Sequence, residues 1–145
     1  MAYSSASANA FIKLILLGTP IAGLADNASA NPSTDLYISL LTAAPGAGAN
    51  QSTNELVYPG YARIAVPRSP AGWSVIGNEA FLVNALEFLE VAGTAVGTAT
   101  HLGIGTAAAG NGLLLLHGAL TPVIPIQAGV VPRLKTSTKV AFLTV

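Results

Sequence analysis

The chain interrupts itself every few residues, and that limits what it can fold into. From residue 35 onward, short apolar stretches are separated by glycine, proline and asparagine, a spacing that suits strands rather than long helices. Leu36, Ile38 and Leu40 alternate with Tyr37, Ser39 and Leu41, a period of two. Residues 43–53 (AAPGAGANQST) read as a small-residue loop. Residues 61–66 (YARIAV) read as a strand closed by Pro67 and Pro70, and 72–76 (GWSVI) as another, followed by a turn at Gly77-Asn78. Residues 80–91 (AFLVNALEFLEV) fit either a helix or one long strand; the β character of their neighbours favours the strand. Residues 98–106 and 113–120 are strands joined by AAAGNG, a hairpin loop whose glycines accept positive φ cheaply. Pro122 and Pro125 place the next stretch at a sheet edge or a crossing. Residues 127–129 make a turn, and 138–145 (TKVAFLTV) a last strand.

The first 34 residues differ. Ser5 or Ser7 is a suitable N-cap, residues 8–17 hold good helix formers, and Gly18 with Pro20 stops the run. Phe11, Leu14 and Ile15 fall at i, i+3 and i+4, on one helical face. Residues 23–34 read as a loop. The sequence therefore predicts a helix and linker arm over 1–34 and an all-β body of about eight strands over 35–145. That count and spacing suit a sandwich or barrel.

Composition sharpens this reading. Of 145 residues, 52% are apolar and only 8% charged, with six basic and six acidic side chains. An ordinary soluble domain of this length would carry roughly 36 charges. A folded monomer of this size exposes about 6,900 Å², so the mean area per charge is about 570 Å², as large as the biggest apolar patch on a typical monomer. Water alone is a poor partner for such a surface. Zero net charge and scattered basic residues (Lys13, Arg63, Arg68, Arg133, Lys135, Lys139) argue against nucleic acid. The best apolar run, residues 14–25, is too short for a membrane span and is broken by Gly18, Pro20 and Gly23. Lys13 before that run and Ala28-Ser29-Ala30 after it mimic a secretory signal, but the n-region would be long and hold one Lys. Protein assembly is the answer that survives. Leu113 to Leu116, four consecutive leucines, make both faces of their strand apolar: one face for the core, the other for a second layer or subunit.

Catalytic chemistry is hard to find. His101 and His117 flank the AAAGNG loop and are expected to face each other across the hairpin, with no acid within ten residues to complete a metal site. Glu87 and Glu90 point to opposite faces of a strand. Residues 103–106 (GIGT) imitate a phosphate loop without its lysine or following helix. With no Cys and no nucleophile elbow, an enzyme is not expected, nor a cofactor or metal. Trp73, the only Trp, suits the core or an interface anchor.

Three blocks carry a resemblance. Residues 36–46 read LYISLLTAAPG, 60–66 read GYARIAV, and 97–129 read GTATHLGIGTAAAGNGLLLLHGALTPVIPIQAG. In this order they resemble a family of small bacteriophage virion proteins, with Thr100-His101-Leu102-Gly103-Ile104 and Leu120-Thr121-Pro122 the most specific parts. The likeness covers most of residues 5–145. Residues 21–34 and the apolar stretch 80–90 depart from the pattern. Some members resemble the cement, or decoration, proteins of tailed phages, which are jelly rolls, often dimeric, seated over joints between major capsid subunits. The resemblance thus implies a jelly-roll sandwich on the capsid exterior, with the major capsid protein and a second copy of itself as partners. A tail or tail-fibre component and a carbohydrate-binding module (Tyr58, Tyr61 and Trp73 its aromatic candidates) are the alternatives. The residues expected at protein interfaces are Phe11, Ile12, Leu14 and Ile15 on the arm, Trp73, and Leu114 and Leu116.

Overall fold

In the computed structural model, residues 5–21 and 33–141 are described. The signal-like Ala28-Ser29-Ala30, most of the expected 23–34 loop and the end of the last expected strand lie outside them. The described residues form one helix, α1 (Ser5–Leu17), and nine strands: β1 (Asp35–Leu41), β2 (Ile64–Pro67), β3 (Trp73–Ile76), β4 (Glu79–Leu82), β5 (Leu86–Glu87), β6 (Gly97–Gly105), β7 (Leu114–Ile126), β8 (Arg133–Leu134) and β9 (Lys139–Ala141). The protein is mainly β, with antiparallel sheets and one N-terminal helix, as the sequence predicts. The chain divides into two compact units: Met1–Asp35, Pro67–Ala85 and Lys135–Val145 in one, Leu36–Val66 and Leu86–Leu134 in the other.

In the first unit, α1 packs on the hairpin of β3 and β4, and β9 pairs with β4 to complete a three-stranded sheet. The turn expected at Gly77-Asn78 is present: Ile76 lies opposite Glu79, leaving those two residues as the loop. The packing stripe of α1 differs from the one expected. Ala8, Ile12 and Leu16, spaced by four, are fully buried, while Phe11 is exposed and Leu14 and Ile15 are half-buried. The i, i+3, i+4 rule allows several overlapping stripes in an apolar helix, and only the sheet beneath selects one. Gly18, at φ 66°, ends the helix in the left-handed region. Arg68 then donates from Nε to the Ile15 carbonyl at 2.7 Å, and from Nη2 to the Leu14 carbonyl. A cation on the last carbonyls satisfies groups that the helix leaves unpaired, and it matches the negative end of the helix dipole.

The second unit holds a four-stranded sheet in the order β2-β1-β6-β7, with β1–β6 and β6–β7 antiparallel. AAAGNG is the β6–β7 hairpin loop, as expected. Ile38 to Leu41 are all buried, so both faces of β1 are covered. β7 runs through both prolines as the outer strand, and its register jumps between Ala99/His101 and again between Ile104/Gly105. A two-stranded sheet pairs Leu86 with Leu134 and Glu87 with Arg133. The long strand expected over 80–91 is instead two short ones, β4 and β5. Bends at Val83 and Asn84 end β4, and the residues from Leu86 on belong to the second unit.

Candidate assembly surface

The sequence reading placed no special residue in the small-residue loop after β1, yet the second unit is organised around one. Gln51 is fully buried. Its backbone N–H donates to the Gly112 carbonyl at 2.9 Å, and its side-chain Oε1 accepts from the Ala107 N–H at 2.8 Å. The side chain lies where two glycines leave room for it. A Cβ on Gly105 would stand 2.1 Å from Gln51 Cδ, and one on Gly112 would stand 2.1 Å from Gln51 Oε1. Gly105, read in the sequence as part of a phosphate-loop mimic, is thus a close-approach glycine inside β6.

Beside it sits a buried ion pair. Arg63 grips Glu55 with two parallel bonds, Nε–Oε1 at 2.7 Å and Nη2–Oε2 at 2.6 Å, and the two side chains are 2% and 13% exposed. Nη1 donates to the Ala107 carbonyl (3.0 Å), and Nη2 also lies within reach of the Gly110 carbonyl (2.8 Å) and the Ser52 hydroxyl (3.3 Å). The planar fork of a guanidinium suits such a carboxylate-and-carbonyl arrangement. Donating to the Glu55 carboxylate raises the Arg63 pKa further. Tyr61 extends the cluster: its hydroxyl donates to Glu55 Oε1 at 3.2 Å and accepts from the Leu40 N–H at 3.0 Å. Burial pushes the Tyr61 pKa well above its ordinary value. The chemistry of this cluster is structural. It ties the 42–56 loop to the 106–113 hairpin loop, and its groups are engaged with each other or with backbone.

The histidines do not face each other. Gly103 lies opposite His117 and Ala119 opposite His101, so the two rings are diagonal neighbours on β6 and β7. His101 Nδ1 lies 2.9 Å from Thr100 Oγ1, and His117 is exposed. Glu87 pairs with Arg133 at 3.3 Å on the surface. Among the described residues, no group of three His, Cys, Asp or Glu is placed to hold a metal, and no helix is long and apolar enough to cross a membrane.

The residues expected at interfaces are dispersed. Ile12 and Trp73 are buried in the first unit, whereas Phe11 is exposed on α1. Leu14 and Ile15 are half-buried, with their carbonyls held by Arg68. Leu114 and Leu116 are half-buried on β7, next to Leu113 at 62% exposure. The three aromatics considered for sugar binding offer no open platform. Trp73 is 2% and Tyr58 5% exposed, and the Tyr61 ring stacks on Phe88 at 5.8 Å.

What stands out on the surface is β7. It is 13 residues long and forms one edge of its sheet. Between Glu90 and Arg133 the chain has no Asp, Glu, Lys or Arg, so β6, β7 and their loop carry no formal charge except through the two histidines. Soluble proteins blunt long edge strands with lysine, proline or bulges. Here Pro122 and Pro125 interrupt the second half of β7, and the register jump that skips Leu115 interrupts its start.

A profile of the family described as "Podophage GP4 fiber I protein gp80" matches residues 4–140, nearly the whole chain. The protein belongs to this gp80 family. It is a structural protein of the tailed-phage virion, in agreement with the virion resemblance read from the three sequence blocks. No curated protein matches the chain. The gp80 match spans α1, β1 to β8, the start of β9, the Arg63–Glu55 cluster and the uncharged hairpin, so the family assignment applies to both units.

Proposed function

We propose that this gp80-family protein is a fibre or tail subunit of a tailed phage, a non-enzymatic building block that works as a homo-oligomer. The observation that carries the reading is the uncharged β6–β7 hairpin with its open edge, set within a family described by its fibre protein. A subunit that meets only water gains from surface charge. A subunit that spends its life against other subunits gains from apolar, neutral surface, which packs without desolvating ions. The Arg63–Glu55 and Gln51 contacts support the same role by fixing the loops at one end of the hairpin.

A second reading, a jelly-roll cement protein on the capsid exterior bound to the major capsid protein, is favoured by the three sequence blocks. In that role, binding only the assembled shell would stabilise it by mass action. Copy number separates the two. Quantitative mass spectrometry of purified virions, with gold-labelled antibody on the same particles, is expected to find a few copies, all at the tail or its fibres. Label spread over the capsid, at a copy number matching the shell lattice, would replace the fibre reading with the cement one. No labelled protein in the particle would defeat both.

A further inference from the structure

We infer that Asn111 is a site of spontaneous deamidation that the fold holds in check: the clamp around the β6–β7 loop keeps the Gly112 nitrogen from attacking the Asn111 side chain. Asn111 is exposed, and Asn111-Gly112 is the sole Asn-Gly pair in the sequence. The reaction needs only base and water. The Gly112 backbone nitrogen gives its proton to base and attacks Asn111 Cγ, the Cγ–Nδ2 bond breaks, and the amide nitrogen takes up a proton and leaves as ammonia. Water then opens the cyclic imide at either carbonyl, leaving aspartate or isoaspartate. A following glycine makes the attack easiest, because no Cβ shields its nitrogen or restricts its backbone. Here that glycine cannot be replaced. A Cβ on Gly112 would stand 2.1 Å from Gln51 Oε1 and 2.5 Å from Ala107 Cβ. The packing that requires Gly112 therefore creates the hazard at Asn111.

The loop opposes the attack in two ways. The Gly112 N–H already donates to the Gly110 carbonyl at 3.0 Å, closing a three-residue turn centred on Asn111. Among the described residues other than glycine, only Asn54 has a positive φ, so this turn is the inverse form, with a central ψ of about +65°. For an L-residue, that ψ sets the next nitrogen on the far side of the Cα–C bond from Cβ, whereas ring closure needs the two eclipsed. Three contacts hold the turn. The Gly110 carbonyl accepts from Arg63 Nη2 at 2.8 Å and from the Ser52 hydroxyl at 2.9 Å. The Gly112 carbonyl accepts from the Gln51 N–H at 2.9 Å. Arg63 is itself fixed by Glu55. Turning the 111–112 peptide toward the ring breaks the Gly112 N–H bond and pulls Gly112 off Gln51. The product would place a carboxylate in the stretch between Glu90 and Arg133, which has no Asp, Glu, Lys or Arg. The buried cluster thus keeps its loop neutral as well as fixed, wherever in the virion the protein sits.

The test incubates the full chain in mildly alkaline buffer and follows residue 111 by peptide-mapping mass spectrometry, which reads the gain in mass from amide to acid. Conversion in the folded wild type is expected to run at least about tenfold slower than in the same chain unfolded by urea, because it must wait for the loop to open. Gln51→Ala removes the side chain packed against Gly112. Ser52→Ala, at an exposed position, removes one bond to the Gly110 carbonyl. Each variant, with unchanged far-UV circular dichroism, is expected to speed conversion at least about threefold. Ile12→Ala, in the buried stripe of α1 in the other unit, is expected to lower stability and leave the rate at Asn111 unchanged. Folded wild type that converts as fast as the unfolded chain overturns the inference, and so do loop variants that convert no faster than wild type. An equal acceleration in Ile12→Ala overturns it too, since global unfolding rather than the clamp would then set the rate.

Discussion

Replacing Gly105 by alanine tests whether Gln51 organises the second unit. The new Cβ would stand 2.1 Å from Gln51 Cδ, 2.4 Å from Cγ and 2.6 Å from Nε2. None of these is the loose end of an exposed side chain, since Gln51 is fully buried. The glutamine must shift, and its 2.8 Å bond from the Ala107 N–H goes with it. Overpacking of this kind costs about 1–3 kcal/mol, and leaving a buried amide unpaired costs about 1–3 kcal/mol more. Gly105→Ala is therefore expected to destabilise the protein by about 2–5 kcal/mol. Gln51→Ala loses the same acceptor but also removes Nε2, a buried donor with no protein partner, so it is expected to cost less, about 1–2 kcal/mol. In the Gln51→Ala background the Gly105→Ala change meets open space. The two effects should then be strongly non-additive, with a coupling of about 1.5–3 kcal/mol. Urea unfolding of the four proteins of the cycle measures this through the midpoints at constant m. An additive pair, or Gly105→Ala with an unchanged midpoint, would refute the argument that these glycines exist to admit Gln51.

Three further outcomes follow from other contacts. Arg63→Met strands the Glu55 carboxylate and two carbonyls, and is expected to cost about 3–5 kcal/mol, whereas adding Glu55→Gln should recover part of the loss; the same urea series reads both. Tyr61 has its pKa raised by burial above the ordinary 10.0, so the native state holds the phenolic proton after the unfolded chain has lost it. Stability contributed by this group is fully present below pH 10 and declines as pH rises, by up to about 1.4 kcal/mol per pH unit, and Tyr61→Phe should flatten the decline; a slope unchanged by that variant contradicts the assignment. Ile12→Ala, in the buried stripe of α1, is expected to cost about 2–4 kcal/mol, while Leu113→Ser, at 62% exposure, should move stability by less than about 0.5 kcal/mol; thermal unfolding distinguishes them.

The parts of this structure legible in the sequence are those fixed by near neighbours. The helix stop at Gly18, the two-residue turn at Gly77-Asn78 and the AAAGNG hairpin depend on residues a few positions apart, and each stands where its local chemistry puts it. Gln51 was invisible because its burial is set by Gly105 and Gly112, more than fifty positions away. Within AAPGAGANQST it looks like any loop amide. Arg63 reads as one of the scattered basic residues because, although Glu55 is only eight positions away, no local pattern marks the pair, and its other partners, the Ala107 and Gly110 carbonyls, lie more than forty positions on. The 80–91 stretch shows the limit from the other side. Its alternation is real in Ala80 and Leu82, which are both buried, but periodicity holds no information about where the chain leaves one unit for another.

The low charge of this chain has a distribution as well as a total. Glu55 and Arg63 lock two loops, Glu79 meets Lys139 at 2.6 Å across β4 and β9, Glu87 meets Arg133 beside β5 and β8, and Arg68 caps α1. Most of these contacts join segments far apart in sequence, where an ion pair fixes how the chain returns on itself. Exposed pairs such as Glu87–Arg133 contribute little to stability, so what they add is register. The hairpin of β6 and β7 receives no charge at all, although an outer strand is where a water-facing monomer most needs one. A sequence short of ionisable residues everywhere would show no such contrast. The contrast between joined segments that carry charge and an uncharged outer strand is what the proposed subunit role asks of a surface that meets another subunit.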